Sequence, residues 1–115
     1  MLETPRFLQG VCTFVGKGLE SPVPFTPRPV YEVPHDRRAQ LLYLRAGNST
    51  DEMVYLLLSR HSRRMRYFPI GAKGAIHVTL AIVEDIPPES ELELLIGAPE
   101  GSSGAVLVDM GLMEL

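Results

Sequence analysis

Residues 40–59 read QLLYLRAGNSTDEMVYLLLS. Two apolar runs flank a polar break, Gly47-Asn48-Ser49-Thr50-Asp51-Glu52. The second run is apolar at odd positions (Met53, Tyr55, Leu57) and at even ones (Val54, Leu56, Leu58). A strand apolar on both faces has to be covered on both faces. We read strands over residues 39–46 and 53–60. Gly47 and Asn48 tolerate positive φ, so the expected connection is a hairpin with a bulge or a wide loop.

The flanking chain reads as more short strands. Residues 7–15, FLQGVCTFV, are strand-like, and Gly10 inside them suggests a bulge or a close backbone approach. Residues 21–34 carry Pro22, Pro24, Pro27, Pro29 and Pro34. Proline fixes φ and offers no amide donor, so this is an extended arm or sheet edge, not a helix or a central strand. Its Pro24-Phe25-Thr26-Pro27 has PxxP spacing, but a rigid connector laying Phe25, Val30 and Tyr31 on the body accounts for it. Residues 65–70, MRYFPI, form a short strand that Pro69 marks as an edge. Residues 75–83, AIHVTLAIV, alternate cleanly, with Ile76, Val78, Leu80 and Ile82 on one face. After the loop EDIPPES, alternation resumes with Leu92, Leu94 and Ile96 inward and Glu91 and Glu93 outward. GAPEGSSG is a turn or hairpin loop, 105–110 is a strand, and 111–115 extends it. Ten glycines and ten prolines, with no long helical stripe, agree. The predicted fold is all-β: one antiparallel β-sandwich, or small barrel, of seven to eight short strands spanning residues 1–115.

Composition narrows the partners. The 115 residues are 45% hydrophobic and 22% charged, enough for a single core. A net charge of -3 argues against nucleic acid. The one cysteine, Cys12, forms no internal disulfide and suits a reducing cytoplasm. The N-terminus lacks a signal-peptide pattern, and no apolar run approaches about 18 residues, so no membrane insertion is expected.

Candidate chemistry is sparse. Arg60, Arg63, Arg64 and Arg66 cluster with His61, Tyr67 and Phe68. Guanidinium groups fork onto carboxylates and phosphates, so the cluster reads as a binding site; the alternative is a solvated hairpin tip. Its acidic counterpart is Glu84, Asp85, Glu89, Glu91 and Glu93. One copy's Arg turn meeting the next copy's acidic loop would fix an assembly register. His35, His61, His77 and Cys12 have no metal-ligand spacing, and no cofactor is expected. The glycine-rich loops lack the Lys-Ser/Thr ending and the following helix that hold phosphate. Ser49, His61 and Asp51 fit no nucleophile motif. No catalysis is expected.

The double-sided run points to association. A sandwich strand needs one inner face. Here the outer face also carries Met53, Tyr55 and Leu57, beside Leu41 and Tyr43 or Leu42 and Leu44, with Leu95 and Leu107 extending it. Large apolar patches mark contacts. The covering is the proline-rich arm, another subunit, or both; a homo-oligomer with a sheet face in its interface is the expectation.

The runs LLYLRAGNSTDEMVYLLLS, YFPIGAKGAIHVTL and EDIPPESELELLI resemble the soluble sensory rhodopsin transducer family over residues 40–97. The resemblance implies an oligomeric β-sandwich that acts by binding. The N-terminal arm and the Arg cluster fall outside it. FLQGVCTFVGKGL and APEGSSGAVLVDMG are similar to small companion proteins encoded near molybdopterin oxidoreductases, which implies a partner and no bound cofactor. The expected function is thus an interaction module that binds itself and a protein partner. The alternative is a small-ligand or carbohydrate-binding sandwich using Arg64, Arg66, Tyr67 and Phe68.

Overall fold

A computed structural model of the chain describes residues 3–79 and 85–115. Ten strands follow in order: β1 (Thr4–Val15), β2 (Gly18–Pro24), β3 (Val30–Glu32), β4 (Ala39–Asn48), β5 (Val54–Arg60), β6 (Arg63–Ile70), β7 (Ala75–Thr79), β8 (Asp85–Ile86), β9 (Glu91–Ala98) and β10 (Ser103–Glu114). Every pairing is antiparallel. Sheet A runs β1-β10-β4-β7, with β8 also on β4. Sheet B runs β2-β9-β5-β6, with β3 also on β9. The two sheets pack together as a β-sandwich rather than a closed barrel. No helix among the described residues is long and apolar enough to cross a membrane.

The inner faces follow from alternation. Leu92, Leu94 and Ile96 of β9 are fully buried, as their spacing predicts. Val54, Leu56 and Leu58 of β5 lie beside them, and Val106, Val108 and Met110 of β10 face them from sheet A. Phe68 and Ile70 on edge strand β6 complete that side. The proline-rich arm supplies β3 and the end of β2 to the edge of sheet B, and Phe25 plugs the core edge-on to Phe14 at 6.2 Å.

The expected hairpin between residues 39–46 and 53–60 does not form. β4 lies in sheet A and β5 in sheet B, so the break between them is a corner. The reason is apolar matching. A hairpin would set Leu41 and Leu44 beside Leu56 and Leu58 in one sheet; crossing sheets lets them meet across the core. Asn48 pins the corner. Its amide nitrogen donates to the carbonyls of Glu52 (2.8 Å) and Gly71 (3.0 Å), and its oxygen accepts from the Thr50 amide and hydroxyl. GAPEGSSG likewise joins β9 to β10 across the sandwich instead of closing a hairpin.

A bulge resolves the phase of the first run. Leu112 faces Leu41 while the preceding Gly111 faces Tyr43, which leaves Leu42 as the extra residue. Leu41 and Leu44 therefore both point inward and Tyr43 outward, so neither pairing of outer residues expected from strict alternation holds. The register of β1 passes Gly10 unbroken and an added Cβ there meets nothing, so Gly10 marks neither a bulge nor a close approach. Asp85–Ile86 pairs as a short strand inside the expected loop. The expected continuation of β7 through Leu80 and Ile82 lies outside the described residues, as does Glu84.

Candidate functional site

The Arg cluster sits on the β5–β6 hairpin. Its two-residue turn is His61-Ser62, with φ of 49° and 65°. Positive φ at both central residues matches the right-handed strand twist, though neither residue is Gly or Asn. Arg60 faces Arg63 and Ser59 faces Arg64, and Met65 is the extra residue of a bulge. Arg63, Arg64 and Tyr67 are exposed, and Arg64 donates to the Tyr67 hydroxyl at 2.8 Å. Phe68 is not a surface residue: it points into the core and is buried. Arg66 shares the inward phase of Phe68 at the sheet edge. There, between β6 and β7, a cleft of about 430 Å³ is lined by Arg66, Tyr67, Phe68, Pro69, Ile76 and Val78.

Two members of the acidic counterpart, Asp85 and Glu93, are committed elsewhere in the same chain. Arg38 forks onto Asp85 (2.6 and 2.9 Å) and holds its carboxyl below the usual range. Arg28 forks onto the buried Glu93 (2.6 and 2.7 Å). Tyr31 donates to the buried Glu114; burial first, then that bond, pushes the Tyr31 phenol far above its ordinary value. Among the described residues, no group of three or more His, Cys, Asp or Glu side chains could hold a metal ion.

The outer face of sheet B shelters itself. Tyr55 lies opposite Gly97, and its ring occupies the space a Cβ there would need. Its hydroxyl donates to the Leu19 carbonyl of β2 at 2.6 Å. Its ring meets Tyr67 at 5.2 Å and 62°. Leu57, on the same face, lies between Leu95 and Tyr67 on the neighbouring strands and is 1% exposed. It is sheltered by its own chain and offers a partner no surface. Met53 is exposed and Tyr43 half-buried.

The outer face of sheet A is different. Tyr43 covers Gly111 as Tyr55 covers Gly97. Its hydroxyl donates to Asp109 at 2.9 Å. Gln9 (3.0 Å) and Arg45 (2.6 Å) donate to the same carboxylate, and the Arg45 guanidinium lies 5.5 Å from the Tyr43 ring centre. These bonds, that from Gln9 foremost, hold the Asp109 carboxyl below its ordinary range against partial burial. The stripe thus runs across β1, β10 and β4 with its charge paired. Apolar side chains flank it, standing in water: Phe7 is 58% exposed, Val11 61%, Val15 56% and Leu107 56%. Val11 faces Leu107, which faces Gly47, where a depression of about 390 Å³ opens.

Three of these four residues lie on β1, which sequence reasoning did not select. The signal was there. FLQGVCTFV is apolar in both phases, Cys12 and Phe14 in one, Phe7, Val11 and Val15 in the other. The chain matches no protein-family model, and no curated protein matches it.

Proposed function

We propose that the chain is a non-catalytic assembly module of the cytoplasm, which associates with copies of itself through the outer face of sheet A and presents that assembly to a protein partner. The carrying observation is the apolar group Phe7, Val11, Val15 and Leu107 exposed on one face. Such a face is covered in use. The commitment of Asp85, Glu93, Asp109 and Glu114 to arginine or tyrosine partners supports a structural over a catalytic role. The resemblance of residues 40–97 to an oligomeric binding sandwich supports the same reading. Cys12, buried and unpaired, fits a reducing compartment. The test is sedimentation of the wild type and of Leu107→Lys across concentration. Wild type heavier than a monomer, with Leu107→Lys reduced to the monomer, is the expected result. A wild type that stays monomeric at millimolar concentration overturns the proposal.

The β6–β7 cleft favours a second reading, a small apolar ligand or sugar held by Tyr67 and Arg66. A melting temperature that rises with the logarithm of a medium-chain carboxylate or a disaccharide supports it. No shift with either removes it.

A further inference from the structure

We infer that the free edge of β1 pairs antiparallel with the β1 of a second copy about a two-fold axis at Gln9. The inference rests on the self-assembly reading above and adds to it a contact along the edge of sheet A, beside the one over its outer face.

The backbone defines the window. Thr13 exchanges both of its backbone hydrogen bonds with Thr26, N to O at 2.8 Å and O to N at 2.9 Å. Thr26 lies on the side of β1 away from β10, so the amide and carbonyl of Thr13 point to the open edge. Along a regular antiparallel ladder the direction alternates residue by residue. The β1–β10 register runs unbroken from Thr4 to Val15. The groups of Phe7, Gln9 and Val11 therefore point to the open edge as well. Among the described residues, Thr26 is the one bridge on that side.

The ends of the window match under a two-fold. On one side Thr13 is already engaged by Thr26. On the other Pro5 has no amide hydrogen to give. Pro5 and Thr13 are equidistant from Gln9. Rotation about Gln9 sets Gln9 against the second copy's Gln9 and Phe7 against its Val11; the paired window ends there, because Thr26 holds the place beside Thr13 and the twist between the two strands has to carry the second copy's Pro5 past it. Each of the three inner pairs exchanges both backbone bonds, and at either end only the Pro5 carbonyl is left to solvent. A shift of two residues either way would leave the Val11 carbonyl opposite the donorless Pro5, or set Phe7 opposite the engaged Thr13.

The side chains agree. Edge strands are ordinarily protected by charge, and the outward residues Pro5, Phe7, Gln9, Val11 and Thr13 carry none. Arg6 does not guard the edge, because it faces the other way and pairs with Glu114. Pairing puts the exposed Phe7 ring beside the exposed Val11 of the other copy, twice, on the same face as Leu107.

Single cysteines read the register, with Cys12 buried in every variant and the wild type as control. Facing residues of a hydrogen-bonded pair have Cα atoms about 5.5 Å apart, within disulfide reach. Under mild oxidation Gln9→Cys is expected to give a covalent dimer. Val11→Cys alone is expected to give none, since its copies stand roughly 14 Å apart along the strand. A mixture of Phe7→Cys and Val11→Cys is expected to cross-link between the two variants. Gln9→Pro, which removes the edge-facing amide together with the side-chain bond to Asp109, should lose the association, and Gln9→Ala, which removes the side-chain bond alone, should keep it. A wild type heavier than a monomer, with no Gln9→Cys cross-link above that of Val11→Cys, overturns the edge pairing and leaves the assembly reading standing. A wild type that is monomeric throughout, with no cross-link, overturns both.

Discussion

Replacing Gly97 with alanine tests whether the chain covers its own double-sided strand. Gly97 has no positive φ, so alanine is conformationally acceptable, and in a strand it would by itself gain roughly 0.5–1 kcal/mol. The obstacle is the Tyr55 ring, which already fills the Cβ position. The ring has to swing away. It then loses the bond to the Leu19 carbonyl, about 0.5–1.5 kcal/mol, and the edge contact with Tyr67, about 0.5–1.5 kcal/mol. It also uncovers part of Leu57, whose full burial is worth about 1.5–3 kcal/mol. The net expectation is a loss of about 2–3 kcal/mol. In a Tyr55→Ala background the obstacle is gone, and Gly97→Ala should be neutral or slightly stabilising. The coupling between the two sites is therefore about 2–4 kcal/mol, read by urea unfolding of the four proteins at one fixed protein concentration. Tyr55→Phe isolates the hydroxyl, at about 1 kcal/mol. An equal cost for Gly97→Ala in both backgrounds refutes the claim that Tyr55 is seated on Gly97.

Other outcomes are checked more directly. Phe68→Ala should destabilise by about 3–5 kcal/mol in thermal or urea unfolding, because the side chain is core; Tyr67→Ala, half-exposed but packed on Tyr55 and beside Leu57, should cost about 1–2 kcal/mol. Converting the His61-Ser62 turn to Asn-Gly should raise stability by about 0.5–1 kcal/mol, since both positions hold positive φ, with sedimentation unchanged. Asp109 and Asp85 are both held below the ordinary carboxyl range, so the stability they contribute is present above about pH 4 and is lost as pH falls through their lowered native values. Asp109→Asn should flatten that acid limb of a melting temperature–pH profile; an unchanged limb would remove the assignment.

The legibility of this fold depended on how local each signal is. Leu92, Leu94 and Ile96 declare their strand because alternation is read within six residues. Pro69 and the prolines of the arm declare edges because each lacks a donor, whatever surrounds it. The β4–β5 corner was not legible, because a polar break of a few residues serves a hairpin and a corner equally; the choice lies in what Leu41 and Leu56 meet across the core. The Leu42 bulge escaped for a related reason. It moves the phase by one residue, and only the partner strand records it. Tyr43 and Tyr55 read as surplus outer apolar side chains until Gly111 and Gly97, far along the chain, are placed beneath them.

That last pairing also decides which face is left for a partner. Sheet B holds the greasiest strand, yet Tyr55, seated on Gly97 and bonded to the Leu19 carbonyl, and Tyr67 cover Leu57 on its outer side and leave Met53 exposed. Sheet A has the same tyrosine-over-glycine device at Tyr43, but there the ring serves a polar knot and leaves β1 uncovered. The knot bears on the proposed association. Covering a face costs free energy chiefly where it strips water from unpaired charge. Asp109 already accepts from Gln9, Tyr43 and Arg45, so the carboxylate keeps its bonds when solvent leaves. Val11 and Leu107 supply the gain and the paired stripe between them and Phe7 lowers the cost. Most of the apolar surplus noticed in residues 40–59 is absorbed inside the molecule, with Leu42 and Met53 left exposed, and the surface proposed for a second copy is built instead from the two longest strands, β1 and β10.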